Sequence, residues 1–271
     1  MVNNFLPVRS DRFCESVLVK VGILLFSLSI TSFSASAAPL DILQLSAFLN
    51  ATELGSSSLQ QDQLGSPFFT EIQDAGLSVS FDNQLDASNL GTFSWQIQNT
   101  LGSDLNNVTF FAFLDMEIDE PLNSFFNESG ALIDVSGTGS GDNLADSWEI
   151  DEPGFLFGDI FDNLLAGALD NSNAVPAGLE DDVSLALGFQ TGSLLPGETL
   201  SASFTISESN IGGLSHTDPD SGLTFYFNGT VDVLPASTSV PEPDSLILFF
   251  LSFLFMFRER SSHQQHRPLN T

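Results

Sequence analysis

Apolar and polar residues alternate with a period of two along much of the chain between Leu77 and Val233. Successive side chains of a β-strand point to opposite faces, so each alternating segment predicts a strand with one buried and one wet side. The segment VTFFAFLD, which begins at Val108, is apolar on both faces and predicts a central strand. The alternating segments are LSVSF (77–81), FSWQIQ (93–98), VSLALGFQ (183–190), TLSASFTIS (199–207) and LTFYFNGTVDV (223–233).

Turn signals separate these strands, and long helices do not alternate with them. Pro196 and Gly197 start one turn, because proline presets its own φ and glycine accepts a positive φ. This pattern predicts a mainly β fold, an antiparallel β-sandwich. A small helical and loop insertion is expected at 117–182. Within it, the apolar spacing of DIFDNLLAGALD (159–170) predicts a helix with Asp159 as its cap.

Two stretches of the body resemble immunoglobulin-like modules of bacterial surface proteins. They are FSWQIQNTLGSDLNNVTFFAFLD (93–115) and LLPGETLSASFTI (194–206). Such modules carry a strand, an Asn-rich loop, another strand, and a Pro-Gly-Glu turn before a Ser/Thr-rich strand. The resemblance implies an immunoglobulin-like sandwich.

The first 38 residues predict a secretory signal peptide. Three basic residues precede an apolar segment at 21–33, and Ala35 and Ala37 supply the small side chains that signal peptidase accepts. Signal peptidase is therefore an expected partner, with cleavage after Ala37 or Ala38.

The charges are distributed very unevenly. All six Lys and Arg residues lie near the two ends, whereas 21–257 holds 32 of the 35 Asp and Glu residues. The body is therefore a polyanion without Lys or Arg ion pairs, and self-repulsion opposes its compact state. It is not expected to bind nucleic acid, whose phosphates need Lys or Arg. Salt or divalent cations are expected to stabilise it by screening and bridging.

Two acidic motifs are candidate calcium ligands. The pentapeptide EIDEP occurs at 117–121 and again at 149–153. We expect both copies to be solvated acidic loops. The alternative is that the carboxylates of the two copies bind one calcium ion between them. HTDPDSG (216–222) places Asp218 and Asp220 two positions apart, as at the start of a calcium loop, but lacks the distal Glu of an EF-hand. No cofactor or metal ligand is assigned from the sequence, and calcium stays an open alternative.

Enzyme chemistry is not expected, and no catalytic residue is assigned. Between residues 21 and 257 the chain has one histidine, His216, and neither Lys, Arg nor Cys. A Ser-His-Asp arrangement would need His216 as its base, and no G-x-S-x-G turn lies near it. Paired carboxylates could still serve glycoside hydrolysis. A secreted carbohydrate-binding or carboxylate-based carbohydrate-active protein is therefore kept as an alternative.

The C-terminal tail VPEPDSLILFFLSFLFMFRER (240–260) combines a Pro-Glu-Pro turn, an apolar run and two arginines. As a helix of about 1.5 Å per residue, the apolar run 246–257 spans roughly 18 Å, less than a hydrocarbon core of about 30 Å. The arginines fit the positive-inside rule, which keeps the C-terminus in the cytoplasm while the body is exported.

This three-part order resembles the PEP-CTERM sorting signal of Gram-negative bacteria, which exosortases recognise. The resemblance implies a transient inner-membrane anchor, removal of the tail near Pro-Glu-Pro, and delivery to the cell surface or an exopolysaccharide matrix. A plain single-pass membrane anchor without processing is the alternative. The residues that carry the resemblance are Val240, Pro241, Glu242, Pro243, Arg258 and Arg260.

The sequence thus predicts four regions. They are a signal peptide (1–38), an N-terminal extension (39–76), a β-sandwich body (77–234) and a linker with the sorting tail (235–271). The expected function is that of an exported acidic cell-surface or extracellular-matrix protein with a structural or adhesive role. Its expected partners are signal peptidase, an exosortase, exopolysaccharide, and the membrane through its C-terminal helix.

Overall fold

Two six-stranded β-sheets dominate the protein. The computed structural model describes residues 40–65, 67–119, 124–134, 145–154 and 157–237. The strands of the first sheet are β1 (Leu40–Asn50), β2 (Leu59–Leu64), β5 (Leu105–Ile118), β7 (Ser147–Asp151), β8 (Ser172–Asn173) and β9 (Ser184–Leu194). The strands of the second sheet are β3 (Ser78–Leu85), β4 (Gly91–Gln98), β6 (Ser129–Asp134), β10 (Thr199–Ser207), β11 (Gly213–Asp218) and β12 (Leu223–Leu234).

Neighbouring strands are almost entirely antiparallel. The first sheet has the order β2-β1-β5-β9-β7-β8, and the second has the order β3-β4-β10-β12-β11-β6. Within the described residues, the short pairing of β7 with β8 is the parallel one. The prediction of a mainly β, antiparallel sandwich is therefore confirmed at this level. Each of the six strand segments predicted from the sequence lies in a strand, to within one residue at its start, namely β3, β4, β5, β9, β10 or β12.

One apolar cluster fills the space between the inner faces of the two sheets. Phe204 on β10 lies at its centre, with its ring 5.4 Å from that of Phe227 and 5.7 Å from that of Phe93, centroid to centroid. Trp95 packs edge-on against Phe204 at 5.9 Å and contacts Phe110 of the opposite sheet at the same distance. Aromatic pairs at these separations add to the stability that area burial provides.

Strand β5 has both faces buried, as its sequence predicts. Phe110 and Leu114 point into the inter-sheet core. Phe111 and Phe113 point to the outer face of the first sheet. There they are covered by a short helix, α2 (Ile160–Ala166). A one-turn helix, α1 (Glu71–Asp74), precedes β3.

The predicted helix exists but is shorter than 159–170. It ends where Gly167 adopts a left-handed φ of 75°, a conformation that favours glycine. Asp159 occupies the N-cap position, yet its side chain makes no capping hydrogen bond. Among the described residues, no helix is long and apolar enough to cross a lipid bilayer.

The helix α2 also explains one wrong prediction about β9. The sequence predicts a wet outer side for this strand, but Ala186 and Gly188 are buried. Ala186 belongs to the same cluster as Ile160 of α2. A side chain at Gly188 would lie 2.3 Å from the hydroxyl of Ser147, so only glycine fits there. The small residues of this strand therefore make room for a covering layer and do not face water.

The range 39–76, expected as an extension outside the sandwich, contributes β1 and β2 to the first sheet. Strand β1 pairs with β5 along its whole length, from Leu40 opposite Ile118 to Asn50 opposite Thr109. A register shift between Ile42 and Gln44 interrupts the alternation of β1, and most of the strand is buried on both faces. A strand of this kind does not need alternating apolar and polar residues, and the sequence of β1 does not show them.

Candidate metal centre

Carboxyl groups are buried in this protein without any Lys or Arg to neutralise them. Seven residues with carboxyl side chains are buried within the part of the chain that the structure describes. The sequence has no Lys or Arg between residues 21 and 257. Burial of a carboxylate is costly unless it is paired, hydrogen-bonded or bound to a metal. The seven residues are Asp62, Asp115, Glu117, Glu128, Glu149, Asp151 and Asp218.

Neutral donors satisfy Asp62. Its Oδ1 accepts hydrogen bonds from Ser46 Oγ at 2.6 Å and Gln60 Nε2 at 2.7 Å, and its Oδ2 accepts one from the backbone N–H of Phe69 at 2.8 Å. A carboxylate with three such donors is stabilised in its buried position. Asp62 is therefore part of the structure of the β1–β2 edge and is not a candidate ligand.

Asp218 is satisfied by the turn that follows it. Its two oxygens accept hydrogen bonds from the backbone N–H groups of Asp220 at 2.9 Å and Ser221 at 2.8 Å. This is the local turn that Asp commonly forms between strands, here between β11 and β12. Asp220 Oδ2 accepts a hydrogen bond from Asn127. The structure shows HTDPDSG as a turn in which the Asp218 carboxylate accepts backbone hydrogen bonds.

The EIDEP motif at 149–153 begins on β7, and its Glu149 belongs to the first of two acidic clusters. Carboxylate oxygens of Glu149, Asp159 and Asp170 lie within 4.8 Å of one another. Both oxygens of Glu149 have donors, Asn163 Nδ2 at 2.9 Å and the backbone N–H of Asp170 at 3.2 Å. Asp159 and Asp170 are exposed. Hydrogen bonds and water therefore account for this cluster.

The second acidic cluster is formed by Asp115, Glu117 and Asp182. One carboxylate oxygen from each lies within 4.8 Å of the others. Asp115 and Glu117 alternate along β5 on the face of Phe113, and Asp182 lies just before β9, which pairs with β5. Asp115 is 3% exposed. No hydrogen-bond partner for the Oδ1 atoms of Asp115 and Asp182 lies among the described residues.

The first residues of both EIDEP copies do not lie in the solvated loops that we expect from the sequence. Glu117 and Glu149 are buried on strands. Among the described residues, these two glutamates belong to separate acidic clusters. The sequence analysis does not single out Asp115 or Asp182 as candidate ligands. A signal for Asp115 was present, because an acid ends the otherwise apolar run VTFFAFL.

The one histidine of the body is the buried partner of a carboxyl group. His216 is fully buried, and its Nε2 lies 2.5 Å from Glu128 Oε2. Glu128 Oε1 accepts a hydrogen bond from the backbone N–H of Ile118 at 3.3 Å. The backbone of Glu128 pairs with that of Asp181, which places this pair next to the second acidic cluster. A substrate cannot reach His216 unless the sandwich opens.

Burial shifts the pKa values of these groups strongly. Desolvation, followed by the like charges of Asp182 and Glu128, raises the pKa of Asp115 to about 7. Desolvation also raises the pKa of Asp182 to about 6 and that of Glu128 to about 8. It lowers the pKa of His216 to about 3. Burial therefore disfavours the charged forms of both Glu128 and His216.

The predicted sorting and cleavage residues all lie outside the described residues. They are Ala35, Ala37, Val240, Pro241, Glu242, Pro243, Arg258 and Arg260. Comparison with known proteins gave no matching family model, no matching curated protein and no matching solved structure.

Proposed function

We propose that the chain is an exported, acidic cell-surface or extracellular-matrix protein with a structural or adhesive role, delivered by a C-terminal sorting signal. One observation carries the proposal: a Pro-Glu-Pro turn, an apolar run and an arginine pair follow one another at 241–260, and a signal-peptide pattern lies at 1–38. An exosortase would cut near Pro-Glu-Pro, so that the membrane holds the chain only transiently. Exopolysaccharide is the proposed contact of the released body.

The character of the body supports a structural role. Its two mainly antiparallel sheets enclose a core with many aromatic residues, as expected for an immunoglobulin-like module, and we include that assignment in the proposal. Its large negative charge keeps such a protein soluble and separate from other anionic chains.

The test replaces Pro241, Glu242 and Pro243 together by alanine. We expect the full-length protein to accumulate in the inner-membrane fraction, whereas the unaltered protein is released without its tail. The matched control replaces the neighbouring Ser237, Thr238 and Ser239 by alanine and should be released normally. Release of the altered protein at the normal rate, with its tail removed, would refute the proposed sorting signal.

A further inference from the structure

We propose that Asp115, Glu117 and Asp182 bind one calcium ion on the outer face of the first sheet. The inference concerns the folded body alone and does not depend on the route of export. The unsatisfied oxygen of Asp115 is the observation that separates this cluster from the other buried acids. Each of Asp62, Asp218 and Glu149 has a neutral donor for both of its oxygens.

The fold holds Asp115 in a position that water reaches poorly. The residue is 3% exposed, and its Oδ1 has no donor among the described residues. The backbone of Asp115 is held in place, because the residue lies within a strand that pairs on both sides, with Gln44 of β1 and Ser184 of β9. A buried acceptor without a donor costs free energy, and a bound cation removes that cost.

The donor set suits a hard cation, and calcium accepts the wider range of ligand spacings. All three ligands are carboxylate oxygens, which suit hard cations such as Ca²⁺, Mg²⁺ and Mn²⁺. Calcium–oxygen distances of about 2.3–2.6 Å allow two ligands of one ion to lie up to roughly 5 Å apart, whereas magnesium at about 2.0–2.1 Å allows roughly 4.2 Å. The three oxygens lie within 4.8 Å of one another, so each pair falls inside the calcium limit.

The site also has a structural consequence. Asp182 lies just before β9, and Glu117 lies near the end of β5. An ion between them ties the two central strands of the first sheet together. It also supplies positive charge to a region in which the sequence provides no Lys or Arg.

The experiment measures calcium binding to the full chain in a non-ionic detergent with 150 mM KCl. Equilibrium dialysis against ⁴⁵Ca²⁺ gives the stoichiometry, and the melting temperature is followed from EGTA to 10 mM CaCl₂. We expect one site with a Kd of about 10⁻⁴ to 10⁻³ M, the range of extracellular calcium modules, and at least tenfold weaker binding of Mg²⁺.

Four variants locate the site. Asp115→Asn and Asp182→Asn should each weaken binding at least tenfold and remove the calcium-dependent rise in melting temperature. Asp104→Asn removes one exposed charge, and Asp170→Asn alters the other acidic cluster; both should bind as the unaltered protein does. Asp115→Asn is isosteric and removes an unpaired buried charge, so in EGTA it should fold at least as stably as the original.

Three outcomes would overturn the proposal. The first is equal calcium binding by the original protein and Asp115→Asn. The second is loss of binding in Asp170→Asn alone. The third is a response to Mg²⁺ equal to that to Ca²⁺, which would indicate diffuse attraction to a polyanion.

Discussion

Acidification should stabilise this protein in the absence of divalent cations, against the usual behaviour of folded proteins. A carboxyl group whose pKa is raised on folding keeps its proton in the folded state at a pH where the unfolded chain has released it. The stability that it contributes is fully present below its ordinary pKa and is lost as the pH rises through the folded value. For Asp115 that interval runs from 3.8 to about 7.

The size of the effect follows from the same values. One pH unit within the interval is worth about 1.4 kcal/mol, so Asp115 alone should cost ~3 kcal/mol between pH 5 and pH 7. Glu149 and Asp182, whose pKa values are raised to about 7 and about 6, act in the same direction. His216 opposes them, because its lowered pKa of about 3 makes stability increase with pH up to its ordinary value of 6.5. Glu128, whose pKa is raised from 4.5 to about 8, offsets His216 between pH 4.5 and pH 6.5 and lowers the stability further above it.

Urea unfolding in EGTA, followed by tryptophan fluorescence, measures this change at pH 5.0, 6.0 and 7.5. With a urea dependence of about 2–3 kcal/mol per molar, the midpoint should fall by roughly 1 M or more from pH 5.0 to pH 7.5. In Asp115→Asn the urea midpoint should fall less between pH 5.0 and pH 7.5, because the contribution of Asp115 to the pH dependence is removed. A midpoint that rises over this interval, or stays constant, would show that these carboxyl groups are ionised in the folded protein without penalty.

Three further predictions concern the core, the polar edge and the termini. Gly229→Ala should destabilise the fold by about 1–3 kcal/mol, because the new methyl group would lie 2.2 Å from a ring atom of Phe204; Gly102→Ala, which meets nothing within 4 Å, is the control, and equal unfolding midpoints for the two would refute the clash. Ser46→Ala removes the hydroxyl that donates to the buried carboxylate of β2 and should cost about 1–3 kcal/mol in thermal unfolding, whereas the exposed Ser203→Ala should change little. Mass spectrometry of protein collected outside the cell should find neither residue 1 nor residue 271, and recovery of both would exclude processing at either end.

The strands that the sequence predicted share one property. Each has a regular alternation, as in β4 and β10, or a continuous apolar run, as in β5. Strand β1 has neither, because its register shift breaks the period and its buried positions include polar residues such as Gln44 and Ser46. The covering of the first sheet's outer face by α2 is not predicted from the sequence, for a related reason. Small residues in β9 resemble a solvated face in the sequence, and only the packing of α2 shows that they are covered.

The acidic cluster of Asp115, Glu117 and Asp182 could be predicted only in part from the sequence. The repeated EIDEP motif drew attention to Glu117, and the absence of Lys and Arg suggested a need for cations. Asp182 could not be joined to Asp115 in advance, because their proximity depends on the pairing of β5 with β9 across a long insertion. The partner of His216 was hidden in the same way, since Glu128 and His216 meet only after β6 and β11 pair.

The pairing of β1 with β5 sets the order in which the sheet can be assembled during synthesis. Residues near Leu40 emerge first, but their partners near Ile118 emerge much later, and β9 later still. Before β5 has been made, β1 can form only its hairpin with β2. Before β9 has been made, β5 lacks its second neighbouring strand. Assembly dominated by such distant pairings is slow. The newly made chain therefore has to be shielded from self-association, through unpaired strand edges, until its last third has appeared.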